Sequence, residues 1–146
     1  MIKKFELDSS TKITVFGIDL FRVKALISFG NVEKGELGGY VEKEENLNHS
    51  GNAWVSGDAW VYGNAWVSGD AEVSKLNDYI VFKNSWSSGR YFTYTRSNKM
   101  WKVGCFYGAG EELVQKAYQD SECSGKHYEA YVNLVETLET QRQVIK

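Results

Sequence analysis

The sequence predicts a mainly β protein with α structure confined to its C-terminal part, on three observations. Residues 51–73 repeat every six positions, several runs on either side are rich in β-branched and aromatic residues, and the last third carries helical spacing. Three segments are expected: an N-terminal β-hairpin or cap over 1–36, a repeat region over 37–76, and a small α+β domain over 77–146. A chain of 146 residues can bury a real core, and 14% aromatic with 25% charged residues excludes a wholly disordered one. No apolar run is long enough to cross a membrane, and the start Met1-Ile2-Lys3-Lys4 lacks the apolar stretch of a secretory signal. Cys105 and Cys123 match neither a disulfide framework nor a zinc spacing. A soluble, cytoplasmic protein is expected.

The first element is a hairpin. Lys12-Ile13-Thr14-Val15-Phe16-Gly17 and the run from Leu20 to Ile27 are β-rich and flank a turn around Gly17-Ile18-Asp19. Gly35, Gly38 and Gly39 then punctuate a loop. Next comes the repeat, Gly-[Asn/Asp]-Ala-x-Val-x, from Gly51 to Val73. A helix of 3.6 residues per turn cannot hold a period of six, whereas a short strand followed by a corner can. Ala and Val two apart share one side of a strand. The Gly-Asn and Gly-Asp pairs supply the bends.

These hexads resemble those of the hexapeptide-repeat proteins. The resemblance implies a short left-handed parallel β-helix with three hexads to a coil, of which about two coils fit between Val41 and Val73. Val55, Val61, Val67 and Val73 match the inward aliphatic position, and Ala59, Ala65 and Ala71 the small one. Val41 and Leu47 keep the phase of the alanine column, while Lys43 and His49 fall on the valine phase. The stretch from Leu37 to Leu47 is similar to the lead-in of small repeat proteins encoded by phages and prophages. In such a coil Trp54 would stack over Glu72 and Trp66 over Asn48. Trp54, Trp60 and Trp66 would then lie outward on three different faces. With Tyr62 they are the expected oligomer or partner interface, since aromatic anchors are typical of interfaces. So short a stack needs both ends covered, by flanking segments or by another subunit, and a homo-oligomer (dimer or larger) is expected.

The remaining elements read β-β-β-α-α. Asp78–Lys83, Arg90–Arg96 and Met100–Tyr107 are expected strands, with Ser97-Asn98-Lys99 as the turn between the last two. A helix follows with Glu111 and Glu112 in its first turn and Leu113, Val114, Ala117 and Tyr118 on one stripe. After Gly125, Tyr128, Tyr131, Val135 and Leu138 mark a longer one.

Charge divides the chain. Residues 31–72 carry eight acidic side chains against Lys34 and Lys43, whereas residues 79–110 carry five basic ones and no acid. Arg90, Arg96, Lys99 and Lys102, interleaved with Trp86, are the candidate binding residues for a nucleic acid, a nucleotide or an acidic protein surface. Two alternatives stand beside this. The aromatics are the inner face of a sheet whose basic side chains are merely solvated, or the basic sheet of one subunit meets the acidic repeats of another. Catalytic residues, metal ligands and cofactors are not expected. His49 lies beside the repeats as a lone histidine, and Cys105, next to Phe106 in an apolar run, reads as a buried inert thiol. The expected function is a non-enzymatic binding protein whose partner is a host protein or nucleoprotein complex, with no membrane. The phage resemblance implies a counter-defence inhibitor that occupies a surface of a bacterial immune complex, for example a CRISPR effector. The alternatives are a sponge for an anionic nucleotide signal and an acyltransferase-like enzyme using His49 as base.

Overall fold

The structure, a computed structural model, describes residues 3–86 and 88–145, without the side chains of 142–145. Strands β1 (Phe5–Val15) and β2 (Ile18–Ala25) form the hairpin, paired from Phe5 with Ala25 to Val15 with Ile18 and bulged between Asp8 and Ile13. Strand β3 (Leu37–Val41) adds antiparallel to β2. The hexads give three two-residue strands, β4 (Trp54–Val55), β5 (Trp60–Val61) and β6 (Glu72–Val73). Four strands follow: β7 (Tyr79–Lys83), β8 (Tyr91–Thr95), β9 (Met100–Val103) and β10 (Phe106–Gly108). The chain ends in helices α1 (Gly110–Asp120) and α2 (Glu122–Ile145).

The fold is mixed α/β, and the expected left-handed parallel β-helix is not what the chain forms. Among the described residues parallel pairing is confined to three short contacts: Tyr40-Val41 with Trp60-Val61, Trp54-Val55 with Glu72-Val73, and Leu47 with Val67. The sheet β10-β9-β8-β7 is antiparallel throughout, and the sheet β1-β2-β3-β5 is mixed. The third, β4-β6, is only two strands wide. The hexad strands are two residues long and make only these parallel contacts, while the longer ladders, in the β1-β2-β3 meander and the β7–β10 sheet, are antiparallel and lie outside the repeat. The expected β-β-β-α-α order also gains a strand, because Gly104-Cys105 turns the chain back into β10. Gly104 has φ +56, and the turn leaves Cys105 exposed rather than buried as expected.

The phase within the repeat differs too. Val41 sits against Val61 and Leu47 against Val67, so both belong to the valine column and not to the alanine one. The segment from Leu47 to Val55 is two residues longer than a hexad and absorbs the shift. Accordingly the neighbour of Trp66 across the layers is Asn46, not Asn48: Val67 N–H donates to Asn46 O at 2.9 Å. Asn46 is fully buried, and its Nδ2 donates to the carbonyls of Gly63 and Ala65 at 3.1 and 2.9 Å. The bends do form at Gly51, Gly57, Gly63 and Gly69, with φ between +60 and +72.

Two cores result. Phe5, Val23, Val41, Leu47 and the Val and Ala columns make one; Phe92, Tyr94, Trp101 and Val103 with Leu113, Ala117, Tyr128, Val132 and Val135 make the other. The β7–β10 sheet lies between the helices and the repeats, and its repeat-facing hydroxyls meet backbone groups left open by the upper layer. Tyr79 Oη donates to Trp60 O at 3.0 Å and Tyr107 Oη to Ser68 O at 3.3 Å. Thr93 Oγ1 accepts from Trp66 N–H at 3.1 Å and Ser97 Oγ from Glu72 N–H at 2.9 Å. Each pairing satisfies a polar group that burial would otherwise penalise.

The opposite end is closed by residues 4 and 5. Phe5 stacks on His49 with centroids 4.2 Å apart, and buried Lys4 donates through Nζ to the carbonyls of Ala53 at 2.6 Å and Gly51 at 3.3 Å. Burial pushes the Lys4 ammonium down to about 8 from an ordinary value of 10.5. Below pH 8 the folded and unfolded chains both hold the proton, and the burial penalty is fully present. Between 8 and 10.5 only the unfolded chain keeps it, so stability rises with pH across that window. Urea titrations at pH 7.5 and 10 should therefore show a gain on the order of 2 kcal/mol in the parent that Lys4→Met lacks. Identical pH responses in the two chains would contradict the burial of the charged form.

Candidate partner-binding surface

The five basic and aromatic residues singled out from the sequence do not converge. Arg90 and Arg96 flank β8 at opposite ends, separated by about 20 Å of extended chain. Trp86, 76% exposed, shares the Arg90 end, in the loop between β7 and β8. Lys99 is exposed in the β8–β9 turn with φ +54. Arg96 is tied inside the protein: its Nε donates to Glu139 of α2 at 2.6 Å, and its Nη1 lies 3.7 Å from Asp78. Lys102 points at the repeats, with Nζ 4.2 Å from the Trp66 ring centre, where burial lowers its proton affinity. Of the basic side chains, Lys102 thus meets the repeats within one chain, on an aromatic ring and not on an acid.

The aromatic set also divides. Trp54 is buried, packed edge-on against Phe29 at 5.3 Å, so the flanking segment covers it. Trp66, 40% exposed, is partly roofed by Lys102. Trp60 and Tyr62 stay accessible and line one groove of about 260 Å³ with Val15, Ile18, Leu20 and Leu76. Phe16 stands on its rim, 98% exposed.

Phe16 and Gly17 are the two central residues of the β1–β2 turn, with Val15 paired to Ile18 and φ of +50 and +79. A tight hairpin of this kind favours Asn-Gly, because both positions need positive φ. Phenylalanine in the left-handed region costs about 1 kcal/mol, and its exposed ring gains nothing from the fold. Local chemistry therefore argues against phenylalanine at the position, and the groove beside it is what its ring can serve. The hairpin was legible in the sequence, but Phe16 and Leu76 were not assigned to a surface. The available signal was a bulky aromatic directly before the turn glycine.

His49 has both ring nitrogens engaged. Nδ1 accepts from Lys4 N–H at 3.1 Å, and Nε2 lies 2.7 Å from Glu44 Oε1, whose carboxyl this hydrogen bond holds below its usual range. Among the described residues no helix is long and apolar enough to cross a membrane. No protein-family model matches the chain, and no curated protein matches it.

Proposed function

We propose that this chain is a non-catalytic binding protein that engages a partner protein through the apolar groove rimmed by Phe16. The observation that carries the reading is Phe16 itself, 98% exposed at φ +50 beside Trp60, Tyr62 and Leu76. Burying such a ring against a partner contributes roughly 1.5–3 kcal/mol, the size of an interface anchor. The engagement of both His49 nitrogens favours binding over base catalysis at that residue. The dispersal of Arg90, Arg96, Lys99 and Lys102 favours a protein surface over an anionic nucleotide. The similarity of the stretch from Leu37 to Leu47 to the lead-in of phage-encoded repeat proteins supports the sharper version, in which the partner belongs to a bacterial immune complex and the chain acts by occupying its surface.

Phe16→Asn separates function from folding. Asparagine tolerates the left-handed turn, so the variant should be as stable as the parent or more stable by about 0.5–1 kcal/mol. Its affinity for a protein captured by the parent from nuclease-treated bacterial lysate should fall at least about tenfold. Undiminished binding by Phe16→Asn would remove the groove from the interface. A loss of stability would instead assign Phe16 to the fold.

A further inference from the structure

The sheet edges of this protein are not equally protected. Strand β1 carries a bulge between Asp8 and Ile13, β10 is three residues long, and β4, β5 and β6 are two each. Strand β7, Tyr-Ile-Val-Phe-Lys, is five residues of regular antiparallel register, and among the described residues no strand pairs with its outer side. Its exposure agrees: Val81 and Phe82 are half-buried, whereas their β8 neighbours Thr93 and Phe92 are buried.

The ladder fixes which backbone groups look outward. Arg96 N–H donates to Asp78 O and Asn84 N–H to Arg90 O, both at 2.9 Å, so residues 78, 80, 82 and 84 bond inward to β8. Tyr79, Val81 and Lys83 therefore direct their N–H and C=O groups off the edge. These three positions are symmetric about Val81. On the helix side of the edge a groove of about 250 Å³ runs between β7 and α2, lined by Ile80, Tyr94, Val135, Leu138 and Glu139. Ile80 and Leu138 are 38% and 45% exposed there.

We propose that two copies of this chain pair β7 to β7, antiparallel, about a two-fold axis through Val81. Val81 meets its own counterpart and Tyr79 meets Lys83, so every outward backbone group gains a partner and the two four-stranded sheets become one. The rotation also carries Ile80 and Leu138 of each copy toward the same apolar seam. Only the register centred on Val81 pairs all three outward residues with one another. There the two Lys83 side chains lie at opposite ends of the pairing; slid by four residues, with Lys83 on the axis, they would face each other as like charges. The surface is self-complementary, as a two-fold interface requires, and it is separate from the Phe16 groove.

The test is light scattering of the full chain together with Val81→Pro and Leu138→Glu. Residue 81 directs its N–H away from β8, so proline there blocks the outer pairing and leaves the β8 ladder intact. The parent should scatter as two chains at tens of micromolar; Val81→Pro should scatter as one chain of 16.6 kDa, and Leu138→Glu should weaken dimerisation at least about tenfold. Phe16→Asn should remain a dimer. A parent that scatters as one chain throughout overturns the proposal, as does a folded Val81→Pro that stays dimeric. If Val81→Pro fails to fold, hydrogen exchange on the parent decides. The amides of Tyr79, Val81 and Lys83 should exchange more slowly as concentration rises, and exchange at one fast rate throughout refutes the pairing.

Discussion

Val61→Asp should unfold the repeat region over residues 40–75. Val61 is fully buried, pairs with Val41 across the layers, and sits in a core built from single columns of valine and alanine. A carboxylate there meets no donor and no water, and it must ionise at a large cost or stay protonated and unpaired. The expected loss is about 4–5 kcal/mol, comparable with the whole stability of a small domain. Thermal denaturation followed by tryptophan emission reads it directly, because Trp54 and Trp60 flank the site. A melting temperature equal to the parent's would contradict the inward placement of the valine column.

Gly38→Ala should be nearly as damaging, although it adds one methyl group. Gly38 lies in β3, close against Trp54 and Val55 of the repeat. A β-carbon there would overlap the Val55 carbonyl oxygen and sit 2.7 Å from both the Trp54 ring and Val23 Cγ2. Backbone cannot yield as a flexible side-chain end can, so β3 must separate from the layer beside it. Arg22 would be displaced as well, since its Nη1 donates to Gly38 O at 2.8 Å and its Nη2 pairs with Asp58 at 2.9 Å. A cost of about 3 kcal/mol is expected, seen as a lower urea midpoint at unchanged slope. A midpoint within error of the parent would mean that the two elements are not in contact.

What the sequence disclosed was the local part of the fold. β-Branched runs around a turn glycine marked the hairpin, the Gly-Asn and Gly-Asp pairs marked the bends, and three- and four-residue spacing marked both helices. A six-residue period, however, reports where the chain bends and not what pairs along its edges. That is why the expected parallel β-helix gave way to a fold in which most strands are antiparallel. Leu47 was placed in the alanine column because periodicity assumes a constant step, and the two extra residues before Val55 break it. Lys4 gave no sign of burial, since the carbonyls that hold it lie 47 and 49 positions away. The basic run is legible as charge, but the docking of its sheet onto the repeats, through hydroxyls and through Lys102 on Trp66, is tertiary. Of the surface proposed for a partner, Trp60 and Tyr62 were legible. Phe16 was not, because its exposure depends on the turn it occupies.

The closure of the repeat at both ends has a consequence for growth. Below, Lys4 and Phe5 plug the first layer; above, the hydroxyls of Tyr79, Thr93, Ser97 and Tyr107 occupy the backbone positions that another layer would use. Stacked β layers are the geometry from which fibres propagate, each rung offering its open groups to the next. Here both terminal rungs are already spent on the chain's own side chains, and no copy can be threaded onto the stack without first prising a sheet or the N-terminal segment away. The molecule carries a short piece of polymerisable architecture with its length set at two rungs, and any association it makes must come from the side.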